Sequence, residues 1–379
     1  MYNDYMFKRV FYCSVFSLFS LSALFASDDS RNIVFEGLKY PIEANAVTAE
    51  KTGLVIYETP YSSPTAFDFN VVMIQGETEN LNITLELRYK ENRGETKAAV
   101  APETLRIYKN GRFWAKFRLP AFDKHLFKLS FINLIENKDF HITIYEIQGL
   151  REAAGKTEVP VSTVPYEPPA ELFLPEQSLF KLYKRADWEA QPPKEPYVQH
   201  APKAMTLHHT AGKYTDKLED SIAEVQFIQD YHQNGRGWID IGYHFLLDGA
   251  GNIFEGRPVN AVGAHVLGKN IDNIGISFLG NYHPPKNDQP AKASIEAAAA
   301  LGKSLSDNYS IQKSSFYAHR DIGKTDCPGN ILYSRMQVLK NLIFEPAPVE
   351  MPVKDQAIND FSDPKGSPAL EQALKYSKQ

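Results

Sequence analysis

Residues 318–329 read AHRDIGKTDCPG. The stretch opens at the end of SFYAH (315–319), a short run with strand composition. A polar loop, IGKTD, follows. Pro328 then stands near the first turn of PGNILYSRMQVLKNLI (328–343), where a helix tolerates proline because that N–H has no intrahelical partner. Strand, loop and helix in succession predict an α/β unit. The loop also carries Cys327, one of two cysteines in the 379-residue chain; the other, Cys13, lies in an apolar N-terminal run that reads as an export signal. Exported chains ordinarily pair their cysteines or avoid them. A lone sulfur eight positions after His319 therefore calls for another chemistry.

Outward from this stretch, residues 179–346 alternate strand and helix signals. KAMTLHH (203–209) predicts a strand. Over 216–233, Leu218, Ile222, Val225, Gln229 and His232 fall at helical spacing, and Asn234-Gly235 predicts the helix end. GYHFLL (242–247) and NIFEG (252–256) flank Asp248–Gly251 as a hairpin, and IGISFLG (274–280) reads as a central apolar strand. AKASIEAAAALGKSLSDNY (291–309) is an Ala-rich helix. The expected fold is an α/β domain with a mixed central sheet flanked by helices.

Three strand ends in this segment carry histidine: Leu207-His208-His209, Tyr243-His244 and Ala318-His319. Strand side chains alternate, so His208 and His209 must face opposite sides of their sheet. A catalytic zinc takes three protein ligands from His, Cys and carboxylate and keeps a fourth position for water. Such a site would explain Cys327, because metal ligation stabilises the thiolate. The spacing itself is unspecific. An inert buried cysteine and a Cys–His nucleophile pair both remain open on these residues alone.

The first 26 residues carry Lys8 and Arg9 before a 17-residue apolar run ending at Ala26, the pattern of a cleaved signal peptide. Leu24 is large for the −3 position, and an uncleaved anchor is the competing reading. Residues 27–150 show period-two alternation in NITLELRY (82–89), TLRIYK (104–109), FKLSFI (127–132) and HITIYEI (141–147). Asn110-Gly111 predicts a type I′ hairpin turn. We expect an all-β, sandwich-like domain here, a small barrel being the other closed form. It holds no catalytic constellation, and His125 and His141 read as structural. Residues 151–178, with five prolines, read as a linker, and 347–379 as a Pro-rich polar tail. The formal charge of −5 provides no basic field for nucleic acid.

The blocks KRADWEA (184–190), MTLHHTAG (205–212), GWIDIGYHFLLDGAGNIFEGRP (237–258), VGAH (262–265), NIGISFLGNY (273–282) and AHRDIGKTDCPGN (318–330) resemble the peptidoglycan recognition proteins. That family shares its fold with the zinc-dependent N-acetylmuramoyl-L-alanine amidases of the phage-lysozyme type (amidase type 2). The resemblance covers roughly residues 180–345, in the family's order and spacing, and does not extend to 31–150. It implies that His208, His319 and Cys327 are the zinc ligands. Tyr243 matches the tyrosine that faces the attacking water and the substrate carbonyl. Thr325 falls where the phage amidases have lysine and the catalytic recognition proteins have threonine, so it is taken as the second catalytic candidate. His265 lies in a loop resembling the substrate rim and is a substrate-binding candidate, as is His244, for which a structural role is equally open.

The implied function is an exported zinc amidase, periplasmic or secreted, that cuts peptidoglycan or muropeptides between N-acetylmuramic acid and L-alanine. The alternative is a non-catalytic peptidoglycan-binding or sensing protein of the same fold. Binding-only relatives typically lose the cysteine, which is present here. An exported Cys–His peptidase is the third reading. No nucleic-acid partner and no stable membrane insertion after signal cleavage are expected, and the sequence leaves the oligomeric state open. His209 reads as a supporting or core histidine, Trp188 as core, and His232 and His283 as solvent-facing. Asp240, Glu255 and Arg257 read as turn and ion-pair residues. Two departures stand out: the disulfide that animal members carry near the HHT helix has no cysteines here, and the stretch used to read stem-peptide residue three is Gly256-Arg257-Pro258-Val259.

Overall fold

The computed structural model describes residues 31–90, 96–136, 138–152 and 181–345. The expected signal peptide (1–26), the linker from 153 onward and the tail (347–379) lie outside the described residues.

The first unit holds nine strands: β1 (Ile42–Ala46), β2 (Val55–Glu58), β3 (Phe69–Thr78), β4 (Ile83–Lys90), β5 (Thr96–Val100), β6 (Thr104–Ile107), β7 (Arg112–Asp123), β8 (Leu126–Asn133) and β9 (Phe140–Leu150). They form two antiparallel sheets, ordered β1-β9-β3-β7-β6 and β2-β8-β4-β5. In β4 the alternation buries Ile83, Leu85, Leu87 and Tyr89, which join Val72, Ile74, Phe113 and Phe117 of the facing sheet in one apolar cluster. The pattern breaks in β3. Val71 and Met73 are as buried as Val72 and Ile74, but they and Trp114 of β7 belong to a different cluster, shared with the second unit.

The β6–β7 hairpin forms where expected, but its turn differs. Gly111 N donates to Tyr108 O, and only Gly111 takes positive φ (84°), whereas a type I′ turn needs it at both central residues. The loop is a turn over 108–111 with the left-handed residue at its end. Asn110 instead accepts the Arg112 N–H with its side chain. A Cβ on Gly111 would lie 2.4 Å from Thr78 O, so glycine is also sterically required.

The second unit contains β10 (Leu182–Tyr183), β11 (Ala204–His209), α1 (Leu218–Asp230), β12 (Phe245–Leu247), β13 (Ile253–Glu255), β14 (Asn273–Phe278), α2 (Lys292–Tyr309), β15 (Phe316–Ala318), α3 (His319–Ile322), α4 (Asn330–Tyr333) and α5 (Met336–Phe344). A π-helical turn, Tyr231–Gly235, extends α1 to the expected stop. The six strands run β10-β13-β12-β14-β11-β15, parallel except for the β12–β13 hairpin. Central β14 is buried at every position, as its unbroken apolar run requires. The last helix is divided: the chain turns at Ser334-Arg335, where Arg335 N donates to Leu332 O, and Leu332 and Leu339 both reach the core beneath α2. Near β11, where the family resemblance implies a disulfide, the Ser221 hydroxyl lies 2.9 Å from the Thr215 hydroxyl and 2.8 Å from the Asp248 carboxylate, tying the loop to α1 without cysteines.

The two units meet at α1. Val225, Phe227, Ile228 and Tyr231 pack on Val71, Met73 and Trp114. Arg112, wholly buried, donates to Glu224 Oε2 (2.8 Å), Gly76 O (2.7 Å) and Gln75 Oε1 (3.0 Å), and its guanidinium lies 3.9 Å from the Phe227 ring centre. Burial pushes the Glu224 carboxyl up, and Arg112 beside it opposes that shift. Asp230, at the end of α1, accepts from Trp114 Nε1 at 2.6 Å and from Arg106 and Tyr108.

Candidate metal centre

Register places the first candidate ligand. His208 of β11 pairs laterally with Ser277 of β14, which pairs with Leu246 of β12. Leu246 lies in the cluster beneath α1, whereas Leu207, Ile276 and Phe278 lie in the cluster beneath α2 and α5. His208 therefore points to the α1 face and His209 to the other, as alternation demands. His209 Nδ1 accepts the Tyr282 N–H at 3.2 Å, a core bond.

The second and third candidates come from the loop beside β15. His319 is the first residue of α3, immediately after Ala318, which pairs with Leu207. Arg320 closes the loop that follows: it donates to Asp326 O and to Asn330 Oδ1 (3.0 Å), and its N–H reaches Cys327 O (2.9 Å). Thr325 Oγ1 accepts the Cys327 N–H at 3.0 Å. The thiol is thereby carried back to the sheet.

His208, His319 and Cys327 are all buried, and one ligand atom from each lies within 4.8 Å of the others. His208 Nδ1 is 3.5 Å from Cys327 Sγ, and the two imidazole centres are 4.6 Å apart. With Zn–N of about 2.1 Å and Zn–S of about 2.3 Å, a tetrahedral centre sets nitrogen and sulfur ligands about 3.6 Å apart. The His208–Cys327 separation matches that value, and the donor set of two imidazoles and a thiol suits such an ion. A thiol–imidazole hydrogen bond would account for the one distance but not for the convergence of His319. Burial, and then the neighbouring His319, hold the His208 imidazole well below its usual range, so it is neutral, the form that ligates. The backbone N–H of His209 lies 3.4 Å from Cys327 Sγ and helps hold the sulfur in place.

Tyr243, 8% exposed, stands beside this group with its ring centre 5.4 Å from that of His208. Burial, reinforced by the Cys327 charge, raises its phenol well above the usual range, so it remains a donor. His319 also borders a cleft of about 410 Å³, lined with it by Leu267, Lys269, Asp321, Ile322 and Lys324. On the other side, Gln75 and Arg112 of the first unit line a small cavity with Thr210, His232 and Tyr243. The sequence offered only an arginine opening the apolar strand RFWAKF as a signal for that contribution.

The remaining expected residues are placed as follows. His265 and His244, taken as substrate-facing candidates, are 2% and 0% exposed. Both nitrogens of His244 are engaged, with Ala261 O (2.8 Å) and the Gly275 N–H (2.9 Å). His265 bonds His208 and Asn273 O. His232, expected at the surface, is buried: its ring packs 4.6 Å from Trp238, and its Nδ1 accepts the Gly242 N–H, since helical spacing puts it on the same inward face as Val225, Ile228 and Gln229. His283 is partly buried beside Asp326. Trp188 is core, with Nε1 donating to Glu255 O, and Asp240 pairs with Arg185.

Residues 198–330 match the model of the N-acetylmuramoyl-L-alanine amidase family. Peptidoglycan-recognition protein SC2 of Drosophila melanogaster is 40% identical over 136 residues, which is 36% of this chain and 72% of that protein. Peptidoglycan recognition protein 1 of Bos indicus is 34% identical over 166 residues, covering 42% and 85% respectively. Among solved structures, peptidoglycan recognition protein-LE in complex with tracheal cytotoxin is 30% identical and covers 41% of this chain and 92% of that one, with a TM-score of 0.39.

Proposed function

The chain belongs to the peptidoglycan recognition protein family, and from that premise we propose that it is an exported zinc amidase hydrolysing the amide between N-acetylmuramic acid and the stem peptide's L-alanine in peptidoglycan. The observation carrying this reading is the convergence of His208, His319 and Cys327 within one ligand sphere, beside a protonated Tyr243.

Those three residues would hold the ion. Zinc would supply Lewis-acid polarisation of the amide carbonyl and activation of a water. The chain's own groups do the rest. Tyr243 keeps its proton and donates a hydrogen bond to the carbonyl oxygen as negative charge builds there. Thr325 contributes by fixing the turn that presents Cys327. Lys269 and Lys324 outnumber Asp321 in the cleft lining, and that excess of positive charge suits the carboxylates of a stem peptide. The apolar packing beneath α1 and the first unit shields one side of the site from water, which strengthens each of these interactions.

Digestion of purified sacculi tests the reading. The wild type is expected to release free stem peptides with an L-alanine amino terminus and to leave the glycan strands whole, by mass spectrometry. Cys327→Ser is expected to release none. Sacculi that are bound but returned with intact stems would instead make this a recognition protein without turnover.

A further inference from the structure

We infer that His265 is a positioning residue for the metal centre, holding His208 in the tautomer that turns Nδ1 toward the ion. The inference rests on the zinc reading above. It starts from an acceptor that cannot donate: His265 Nε2 lies 3.0 Å from the backbone carbonyl of Asn273, so that nitrogen carries the proton. A neutral His265 then has only a lone pair at Nδ1. That lone pair faces His208 Nε2 at 3.0 Å, so His208 Nε2 must be the donor. The remaining nitrogen of His208, Nδ1, is left with its lone pair, and it is the one that lies 3.5 Å from Cys327 Sγ. The reverse polarity needs a doubly protonated His265, and no carboxylate is among its hydrogen-bond partners to support that charge.

The rest of the site is built to keep the His265 ring still. Its backbone N–H and that of Val266 both donate to Asn270 Oδ1 at 2.8 Å. The imidazole sits in a slot between two glycines. A Cβ on Gly263 would meet its Cδ2 at 2.5 Å, and one on Gly275 would meet its Cγ at 2.6 Å. The two rings are near perpendicular, at 87° with centres 5.0 Å apart, so the donor and acceptor nitrogens approach without stacking. Outer partners of this kind fix ligand orientation, and their removal typically costs about 10–100-fold in metal affinity.

Two amide substitutions separate this role from mere packing. The side-chain oxygen of His265→Asn occupies the place of Nδ1 and can still accept from His208. His265→Gln places its amide near Nε2 and leaves His208 without an acceptor. Zinc affinity, measured by competition with a chromophoric chelator on the full chain, is expected to fall about 10–100-fold in His265→Gln and to recover largely in His265→Asn. The thiolate-to-metal charge-transfer band of the cobalt-loaded protein is expected to shift in the Gln variant alone. Nitrogen-15 spectra of the zinc-loaded wild type, which need no substitution, should show His208 protonated at Nε2 and bound through Nδ1. Equal affinities in wild type and His265→Gln, or a His208 bound through Nε2, would overturn the positioning role while leaving the zinc reading intact. A wild type that takes up no zinc or cobalt would overturn both.

Discussion

Arg112 of β7 and Glu224 of α1 form an ion pair at 2.8 Å, with side chains 0% and 1% exposed, across the boundary between the two units. Breaking such a pair strands a desolvated charge, at a cost of about 3–5 kcal/mol. Arg112→Met is expected to lower the unfolding free energy by that order in urea melts. The double variant Arg112→Met with Glu224→Met should recover most of it. A loss no greater than that of an exposed pair, about 1 kcal/mol, would mean the units do not depend on this contact.

Tyr243→Phe removes one hydroxyl from a buried ring and leaves the three ligands in place. Its zinc content is expected to match the wild type, while kcat falls by about 10²–10³, the scale for losing one donor to a developing oxyanion. Unchanged kcat in a stable, zinc-loaded variant would remove Tyr243 from the chemistry.

Acid sensitivity should begin unusually early. Burial holds His232 and His244 well below the usual imidazole range, with Arg236 and Arg257 adding to the shift at His232. Between that lowered value and about 6.5, the unfolded chain takes up protons that the folded chain refuses. Their contribution is therefore complete above about pH 6.5 and is lost as pH falls, by up to about 1.4 kcal/mol per pH unit for each histidine. The melting temperature is expected to drop between pH 7 and 5, before most carboxylates titrate. A flat profile over that range would contradict the buried, neutral assignment.

Lys269 and Lys324 border the cleft. Replacing both by alanine is expected to raise KM for stem-peptide substrates roughly fivefold, about 1 kcal/mol in total, with kcat little changed and the effect shrinking at high salt. A kcat effect at constant KM would point to chemistry instead.

The second unit was largely legible because its elements obey local rules. The strand ending in His208-His209, the β12–β13 hairpin and the buried β14 all fall where alternation and turn residues put them. The candidate ligand set was not readable from spacing, since His208 and Cys327 are 119 residues apart; the family resemblance proposed it. What escaped was non-local. Val71, Met73 and Trp114 sit on the face of a sheet that alternation leaves to solvent, and α1 covers it from more than 100 residues away. His232 was misplaced as solvent-facing although its helical spacing from Val225 and Gln229 sets it on the buried face of α1. The Asn110-Gly111 turn was located correctly but mistyped, since only the glycine adopts positive φ.

The metal content of the purified full chain tests the central claim most directly. Elemental analysis is expected to find one zinc per chain in the wild type and almost none in Cys327→Ser, with wild-type activity on sacculi lost to a chelator and restored by zinc. A metal-free wild type whose activity survives chelation would contradict the account and give Cys327 back to nucleophilic chemistry.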